Sequence, residues 1–524
     1  DIFNDMSFYM VFNEEINNLF LENNLILTFN SVESLSLIEK NKYVELIDFL
    51  KERCKVFVDC NDIKDFLKDV EEIQAPLAIN NEKTDVKPDE NSQTEIRRSI
   101  NAKQIPAKEN EAQIKFTKNI KSENVSEGTI DDFVKLFNDR YTKMKKMFRE
   151  RPSTRDFIPI CDVLRGKKGE ETSIVGMITE KNESKKGNLI LTVEDDTGRI
   201  KIFFSGSKEV DEKVKFIVLD EIIWIKGILG DGIIFGKEFE FPDLPVSREV
   251  SRSEVDLCSV HISDIHVGSN AFLEKSFLKF IKWLNIRMGS PAQRELASRV
   301  KYLVIAGDLV DGVGTYPNQD KDLEILDIYD QYERLYELLS MVPDWIRIII
   351  SPGNHDATRS GEPQLPVEKQ YAEKLYELQN VDMVPNPCFF EMHGVKTVAY
   401  HGTSIYDFVE GIAGVGHDKP IPAMKEMLRK RHLAPVFGGK TPISPEEKDY
   451  LLIDTYPDIF HTGHIHVNGF GNYRGTSMIN SGGWQAQTDY QKMRNIMPTP
   501  GRVPVFDLKT HKLSIMGFCD GGGY

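Results

Sequence analysis

The sequence predicts a multidomain α/β protein, and three observations lead to that prediction. Its 524 residues, 40% of them hydrophobic and 28% charged, are enough for about two to four domains with cores of their own. A polar stretch low in aromatic residues separates the first 75 residues from the remainder. Beyond it, a segment of short β-strands precedes residues 251–524, in which apolar strands alternate with polar loops and helices.

The first two segments differ in composition. Residues 1–75 place apolar and charged residues at helical spacing, for example Tyr43, Ile47 and Leu50, and predict a small helical N-terminal domain. Residues 76–128 are dominated by Asn, Glu, Lys, Gln and Ser. Because such a segment cannot bury enough apolar surface to offset its chain entropy, it is predicted to be a disordered linker.

A basic helix is predicted at the start of the next domain, residues 129–250. Thr129 has the side chain of a helix N-cap, and Asp131 and Asp132 in the first turn suit the helix dipole. Ten Lys and Arg residues lie between Arg140 and Lys168, against three acidic residues. A solvated helix face is the usual reading of such a run, and a basic patch beside a nucleic-acid site stays open as the alternative.

Five or so short strands between Thr172 and Pro245 predict a small closed barrel of the OB type. Residues 188–204 read as a β-hairpin, with two apolar runs around an Asp-Asp-Thr-Gly turn. An OB barrel grips single-stranded nucleic acid through stacking aromatics or serves as a docking module. Since no aromatic side chain is clearly exposed in this pattern, docking is favoured.

Composition limits the cellular setting. A formal net charge of −16 argues against a protein that coats DNA through bulk charge. No apolar run approaches the roughly 18 residues of a membrane helix, and no signal-peptide pattern opens the sequence. Six scattered cysteines without a Cys-x-x-Cys pair predict buried, reduced thiols and a cytoplasmic protein with no membrane partner.

Five strands of the last domain are each followed by residues of metal-ligand type. They are Val255–Ile262 before Asp264 and His266, Tyr302–Ala306 before Asp308, Ile346–Ile350 before Asn354, Thr397–Tyr400 before His401, and Asp458–Phe460 before His464 and His466. Residues two apart on an extended chain, such as Asp264 and His266, should point the same way and chelate one ion. Oxygen and imidazole ligands without a thiolate permit Mn, Mg, Fe, Zn or Ni.

Residues 255–485 resemble the calcineurin-like metallophosphoesterases through the motifs SDIH, GDLVDG, GNHD, HG and GHIH. That resemblance implies a four-layer α/β/β/α sandwich with two divalent ions, most often manganese, at the strand ends. By motif, one ion would be held by Asp264, His266, Asp308 and His466, and the other by Asp308, Asn354, His401 and His464. His355 would be the catalytic histidine that is not a ligand, beside the scissile phosphate, with Asp356 orienting it.

The order of domains also resembles the small subunits of archaeal D-family DNA polymerases. The related subunits of eukaryotic replicative polymerases share the plan but lack the metal ligands. The resemblance implies a 3′–5′ proofreading exonuclease that hydrolyses DNA phosphodiester bonds by a two-metal mechanism, located with the nucleoid. Its implied partners are a large catalytic subunit, in a heterodimer or larger assembly, and single-stranded or primer–template DNA. A sliding clamp belongs to the same setting, although no clamp-binding peptide is recognisable near either end.

Three other functions are compatible with parts of the pattern. A non-catalytic scaffold subunit would not need the complete ligand set, and a DNA-repair nuclease would begin with its catalytic domain. A phosphomonoesterase or cyclic-nucleotide phosphodiesterase would have no obvious use for the barrel. Near the end of the chain, Trp484 fits a core position better than a base-stacking one, and roles for Lys492, Arg494 and Arg502 stay open.

Overall fold

The computed structural model describes residues 105–118, 120, 126–184, 188–205 and 213–519, and seven residues before them. The chain divides into two compact units, Asp1–Asn101 and Ala102–Tyr524. In the first, β1 (Ile26–Leu27) pairs in parallel with β2 (Phe57–Val58), while Leu46, Ile47 and Leu50 are helical and buried. The prediction of a small helical N-terminal domain therefore missed a strand pair, and most of residues 1–75 lie outside the described residues.

Part of the predicted linker is folded. Helix α1 (Pro106–Glu109) is followed by β3 (Ile114–Lys118), which pairs antiparallel with β13 (Cys388–Met392) at the edge of a sheet. Ile114 and Phe116, two residues apart on one face of β3, pack against a buried apolar cluster. The linker prediction is wrong here because average composition hides two apolar residues at strand spacing. Residues 76–104 and 121–125 lie outside the described part of the chain.

Helix α2 (Ile130–Arg149) begins with the predicted cap, where Thr129 and Asp132 form a reciprocal capping box. Its buried face carries Leu136, Met144 and Phe148. The basic run is not uniformly solvated, however, because Arg140 in the same face is 1% exposed.

The OB-type domain is a closed five-stranded barrel with the strand order β4-β5-β6-β8-β7. The strands are β4 (Glu171–Glu183), β5 (Leu189–Glu194), β6 (Arg199–Phe204), β7 (Ile222–Leu229) and β8 (Ile233–Glu240). The short helix α3 (Ile160–Val163) contributes Ile160 and Val163 to the barrel core. The predicted hairpin is confirmed, since β5 and β6 pair antiparallel.

One expectation about the barrel surface is wrong. Phe235 is 48% exposed, and its ring meets that of Phe203 edge-on at a centroid distance of 5.9 Å. The two residues are register partners on the parallel strands β6 and β8. The alternation of β6 did not show which of its adjacent residues Phe203 and Phe204 would face outward. The exposure of Phe235, the partner of Phe203, therefore could not be predicted from the pattern.

Two six-stranded sheets form the rest of the second unit, with the orders β12-β11-β10-β9-β18-β19 and β16-β17-β15-β14-β13-β3. The first sheet contains β9 (Cys258–Ile262), β10 (Val300–Ala306), β11 (Arg347–Ser351), β12 (Val381–Met383), β18 (Arg502–Asp507) and β19 (Leu513–Gly517). The second adds β14 (Val395–Ala399), β15 (Ile459–Thr462), β16 (Gly469–Tyr473) and β17 (Thr476–Asn480) to β3 and β13. Tyr302, Val304 and Ile349 of the first sheet share one buried cluster with Phe390 and Ile459 of the second, so the sheets pack face to face.

Helices cover the outer faces of both sheets. In the described residues after the barrel, the helices are α4 (Glu274–Leu284), α5 (Pro291–Ser298), α6 (Ile328–Leu339), α7 (Glu373–Glu377), α8 (Ile405–Gly411), α9 (Pro420–Lys430) and α10 (Asp489–Met493), and residues Gln319–Lys321 form a 3-10 turn. α4 and α6 bury Phe280 and Leu335 in the core cluster of the first sheet. α8 and α9 bury Phe408 and Met427 in that of the second. Strands β9, β10 and β11 run parallel, as do β14 and β15, so their carboxyl ends lie at common sheet edges.

In the part of the chain that the structure describes, none of the helices combines the length and apolar character of a membrane span. The four described cysteines are free thiols. Cys258 and Cys388 are buried as expected, whereas Cys161 is half-buried and Cys519 is exposed.

Candidate metal centre

The predicted ligands come together where the strands of both sheets end. Asp264 and His266 follow β9, Asp308 follows β10, Asn354 follows β11, His401 follows β14, and His464 and His466 follow β15. Asp264 and His401 are fully buried, Asp308, His266 and His466 nearly so, His464 is half-buried and Asn354 is exposed. Strands separated by as many as 200 positions in sequence thus deliver their polar ends to one place.

The backbone of these residues differs from the predicted extended chain. Five ligand candidates have a positive φ: Asp264 (54°), His266 (54°), Asp308 (50°), His464 (72°) and His466 (57°). Such angles are uncommon for residues other than glycine, and they concentrate at functional sites where the surrounding fold enforces them. Left-handed turns, rather than the two-residue repeat of a strand, therefore bring Asp264 and His266 to the same cluster.

One cluster is formed by Asp264, His266 and His466. Nε2 of His466 lies 3.4 Å from Oδ1 of Asp264 and 3.2 Å from Nε2 of His266. Oδ2 of Asp308 lies 3.6 Å from Nε2 of His266 and borders the same space. Two imidazole nitrogens that face each other at 3.2 Å, beside carboxylate oxygens, fit a shared cation.

The second cluster is centred on Nε2 of His401. This nitrogen lies 3.3 Å from Oδ2 of Asp308, 3.0 Å from Oδ1 of Asn354 and 3.2 Å from Nδ1 of His464. One imidazole N–H can serve only one of these three acceptors well. A divalent cation would satisfy all four groups together, so the donor set fits a metal. Because Oδ2 of Asp308 borders both clusters, its carboxylate is the one suited to bridge two ions.

The charges of the site act strongly on one another. Burial would lower the pKa of His401, but the carboxylates of Asp308 and Asp264 outweigh that effect and raise it to about 10. Burial would raise the pKa of Asp264, yet His466 and His401 lower it to about 2. Burial, reinforced by the charge of His401, lowers the pKa of His464 to about 3. A cation that binds here displaces the proton of His401, so its affinity should fall as the pH falls.

Hydrogen bonds fix the orientation of the histidine rings. Nδ1 of His401 lies 2.8 Å from the carbonyl oxygen of Ala306, and Nδ1 of His355 lies 2.7 Å from that of Asp311. A carbonyl can only accept, so in both rings Nδ1 carries a proton and donates it to the backbone. The His355 ring packs edge-on against His266 at 4.8 Å between centroids. His355 therefore borders the first cluster, with a ring nitrogen within 4.8 Å of ligand atoms of His266 and Asp311.

Asp311 is a site residue that the sequence prediction missed. Its Oδ1 lies 3.0 Å from Nδ1 of His266, and its carboxylate accepts hydrogen bonds from Gln319 and Gln485. A carboxylate behind a metal-binding histidine sets the ring orientation and raises its basicity. The second acid of the GDLVDG motif, three positions after Asp308, was the available signal.

Asp356 does not orient His355 in the way that was expected. Its carboxylate accepts hydrogen bonds from the backbone N–H groups of Gly353 and Leu309, at 2.8 and 3.2 Å, and from the hydroxyl of Tyr332 at 3.1 Å. Burial, reinforced by the charge of Asp308, raises its pKa to about 7. Asp356 thus braces the loops after β10 and β11, while the Asp311 carbonyl orients the His355 ring. The side chains of His355 and Asp356 point in different directions, although the two residues are adjacent in sequence. Adjacency in the motif therefore did not reveal their separate partners.

A buried hydroxyl relay behind Asp264 was also missed. Ser263 hydrogen-bonds to the Asp264 carboxylate, and its Oγ lies 2.6 Å from Oγ of Ser481. Oγ of Ser481 lies 2.9 Å from Nε2 of His461. All four residues are at most 1% exposed, so the relay holds the carboxylate from the side away from solvent.

Two of the residues considered near the end of the chain, Trp484 and Lys492, have different environments. Trp484 is 1% exposed and packs against Phe277 and Phe280, which confirms the core position. Lys492 pairs with Asp489 at 2.9 Å.

Two family models match the chain. Residues 260–471 match the family of DNA polymerase alpha/epsilon B subunits, and residues 172–241 match the OB-fold nucleic acid binding domain. The second match coincides with the closed barrel, and the first begins in β9 and includes every ligand candidate.

The chain is also similar to curated archaeal proteins named DNA polymerase II small subunit. The one from Methanothermobacter thermautotrophicus is 42% identical over 388 residues, which are 74% of this chain and 79% of that protein. For Methanocaldococcus jannaschii the identity is 41%, over 79% of this chain and 70% of the relative. For Pyrococcus furiosus it is 43%, over 76% of this chain and 66% of the relative. A solved structure described as a novel archaeal phosphodiesterase is 13% identical, covers 50% of this chain and 99% of its own, and has a TM-score of 0.26, too low to support an inference.

Proposed function

The chain belongs to the family of DNA polymerase II small subunits, and from that premise we propose that it is a catalytic subunit, a 3′–5′ exonuclease that proofreads for the polymerase. The observation that carries the proposal is the convergence of seven ligand groups into two clusters that share Asp308. A scaffold would have no need of buried carboxylates and imidazoles turned towards each other, since burying such groups is costly.

The two sheets with helices outside are compatible with the metallophosphoesterase sandwich that the motifs imply. Asp264, His266, Asp308 and His466 would hold one divalent ion, and Asp308, Asn354, His401 and His464 the other. When bound, such ions neutralise the charge of a phosphodiester and lower the pKa of a water molecule. Manganese is the metal we propose, and the oxygen and imidazole ligands fit it.

The protein residues around the ligands have separable tasks. His355, whose Nδ1 proton is held by the Asp311 carbonyl, presents Nε2 to the phosphate and can stabilise its charge or protonate the departing 3′ oxygen. Asp311 and Ala306 orient the rings of His266 and His401. Asp356 keeps the two loops that carry Asp308 and Asn354 in register.

The experiment is digestion of 5′-labelled single-stranded DNA and of a 3′-mismatched primer–template with added Mn²⁺. Wild-type protein should produce a ladder that shortens from the 3′ end. His355→Ala should lower the rate by about 100-fold or more, the usual range for a lost proton donor, while Mn²⁺ binding persists. His393→Ala is the matched control, because His393 is a half-buried histidine at the turn between β13 and β14.

The same digestion is repeated with the large polymerase subunit, which we propose as the partner that presents the DNA end. No ladder from either preparation would contradict the exonuclease proposal and leave a metal-binding scaffold. Digestion from the 5′ end would refute the proposed direction alone.

A further inference from the structure

An apolar rim borders the metal centre beside α10 and is not used by the mechanism above. Tyr490, Met493 and Met497 are 50%, 79% and 47% exposed. In the same segment Gln491 and Ile496 are buried, at 6% and 3% exposure, and anchor it to the fold. The three exposed side chains therefore stand on a fixed support.

The rim is connected to the ligands by direct contacts. Nε2 of Gln491 lies 2.9 Å from Nδ1 of His466. The hydroxyl of Tyr490 interacts with that of Tyr406, whose ring packs edge-on against His464 at 5.0 Å between centroids. His466 therefore contacts α10 directly through Gln491, and His464 contacts Tyr406, which in turn interacts with Tyr490 of α10. A group that lies on Tyr490 is one side chain away from the metal centre.

A second exposed aromatic side chain stands next to His355. The ring of Tyr316 is 39% exposed and lies 6.5 Å from the His355 ring, and its hydroxyl donates to Asp322. A cation lies beside the rim, since the Arg494 guanidinium is 5.6 Å from the Tyr490 ring centroid. Apolar surface flanked by a cation is unsuited to a bare phosphate but suits the face of a nucleobase.

We propose that Tyr490, Met493 and Met497 form a base platform, which receives an unpaired base of the strand whose phosphate lies at the metal centre. The choice of a DNA base as the bound group rests on the exonuclease proposal. The inference adds the residues that would recognise that base. A base stacked within a duplex cannot lie on a protein ring, so the platform favours single-stranded and mismatched ends. Tyr490 is then a specificity-determining residue, not a catalytic one.

The experiment combines a change in the protein with a change in the substrate, in the manner of a double-mutant cycle. Wild-type protein and Tyr490→Ala are compared on a single-stranded oligodeoxynucleotide and on the same strand with abasic residues at its last 3′ positions. Stacking on one aromatic side chain accounts for about tenfold in affinity. We expect Tyr490→Ala to lose about tenfold in affinity and in kcat/KM on the normal strand and to equal wild type on the abasic strand.

Tyr376→Ala is the matched control, because Tyr376 is 38% exposed and precedes β12 at the amino end of the sheet. Affinity is measured by fluorescence anisotropy as well as hydrolysis, so the platform is tested even if isolated protein does not cleave DNA. Equal losses on both strands, or none on either, would overturn the inference. A Tyr490→Ala variant that loses only its affinity for the large subunit would overturn it as well and identify a protein-docking surface. Base-dependent binding without hydrolysis, with the large subunit present as well as absent, would refute the exonuclease proposal and support the platform.

Discussion

Asp311 connects two histidines that have different proposed roles. Its carboxylate forms a hydrogen bond with Nδ1 of His266, a metal-ligand candidate. Its backbone carbonyl accepts a hydrogen bond from Nδ1 of His355, the proposed acid. Only the first bond depends on the side chain. Substitution at Asp311 therefore separates the support of the metal from the orientation of His355.

Asp311→Asn should weaken Mn²⁺ binding by about 10- to 100-fold, the range for carboxylates behind metal-bound histidines. The isosteric amide removes the negative charge that keeps Nδ1 of His266 protonated. Calorimetric titration of the metal-free protein with Mn²⁺ measures the change. Asp320→Asn, at an exposed position of the same loop, is the control, and equal affinities in the two variants would refute the role of Asp311.

Glu362 is a buried carboxyl that couples stability to pH. Burial raises its pKa to about 7, although the Tyr400 hydroxyl donates to it at 2.7 Å. The native carboxyl keeps its proton at pH values where the unfolded chain has lost it. Its contribution to stability is therefore complete below the usual glutamate pKa and is lost as the pH rises through 7.

Glu362→Gln should remove this pH dependence, because the amide is neutral throughout. Between pH 5 and pH 8.5 the melting temperature of wild type should fall more than that of the variant. The difference corresponds to at most about 3 kcal/mol. Parallel melting curves across that range would show that Glu362 ionises normally in the native protein.

At the scale of single elements, α2 is attached to the two-sheet domain by a buried ion pair. Nε of Arg140 lies 2.6 Å from Oδ2 of Asp449, which also accepts from Nε2 of His432 at 2.8 Å. Burial would raise the pKa of Asp449, but the positive charges of His432 and Arg140 hold it well below the usual range. The carboxylate thus stays ionised between α2 and the loop before β15.

Asp449→Ala should destabilise the protein by about 3–5 kcal/mol, since it leaves a buried guanidinium without its partner. Asp196→Ala breaks a pair with Lys145 at 3.8 Å, in which the Asp196 side chain is 53% exposed. That control should cost at most about 1 kcal/mol. Thermal melts of the three proteins compare the two pairs, and equal shifts would contradict the role of the buried one.

Elements were predictable from the sequence where a local pattern decides them. The Thr129 cap, the hairpin of β5 and β6 and the strands before the ligands follow from local spacing and turn residues. β3 was not predictable, because its strand conformation depends on pairing with β13, more than 250 positions away in sequence. Phe235 was missed for a similar reason, since closure of the barrel decides which side chains face outward.

At the scale of the whole molecule, the candidate metal centre lies where the two sheets meet. β9, β10 and β11 supply Asp264, His266, Asp308 and Asn354, while β14 and β15 supply His401, His464 and His466. The convergence of these seven side chains could be predicted because each follows an apolar strand, while their role as metal ligands stays a prediction. Asp311 was missed although the second acid of the GDLVDG motif signals it. The actual partners of Asp356 could not be predicted, because adjacent residues of one turn point to different groups.

The number of bound ions tests this arrangement most directly. Metal-free protein is loaded with Mn²⁺, and the bound metal is measured by elemental analysis alongside calorimetry for wild type, Asp308→Asn and Asn354→Ala. We predict two ions per chain in wild type, weakened binding of both ions in Asp308→Asn, and selective weakening of one ion in Asn354→Ala. A single ion in wild type, or an Asp308→Asn variant that still binds two ions with unchanged affinity, would contradict a two-metal centre with Asp308 as its shared ligand.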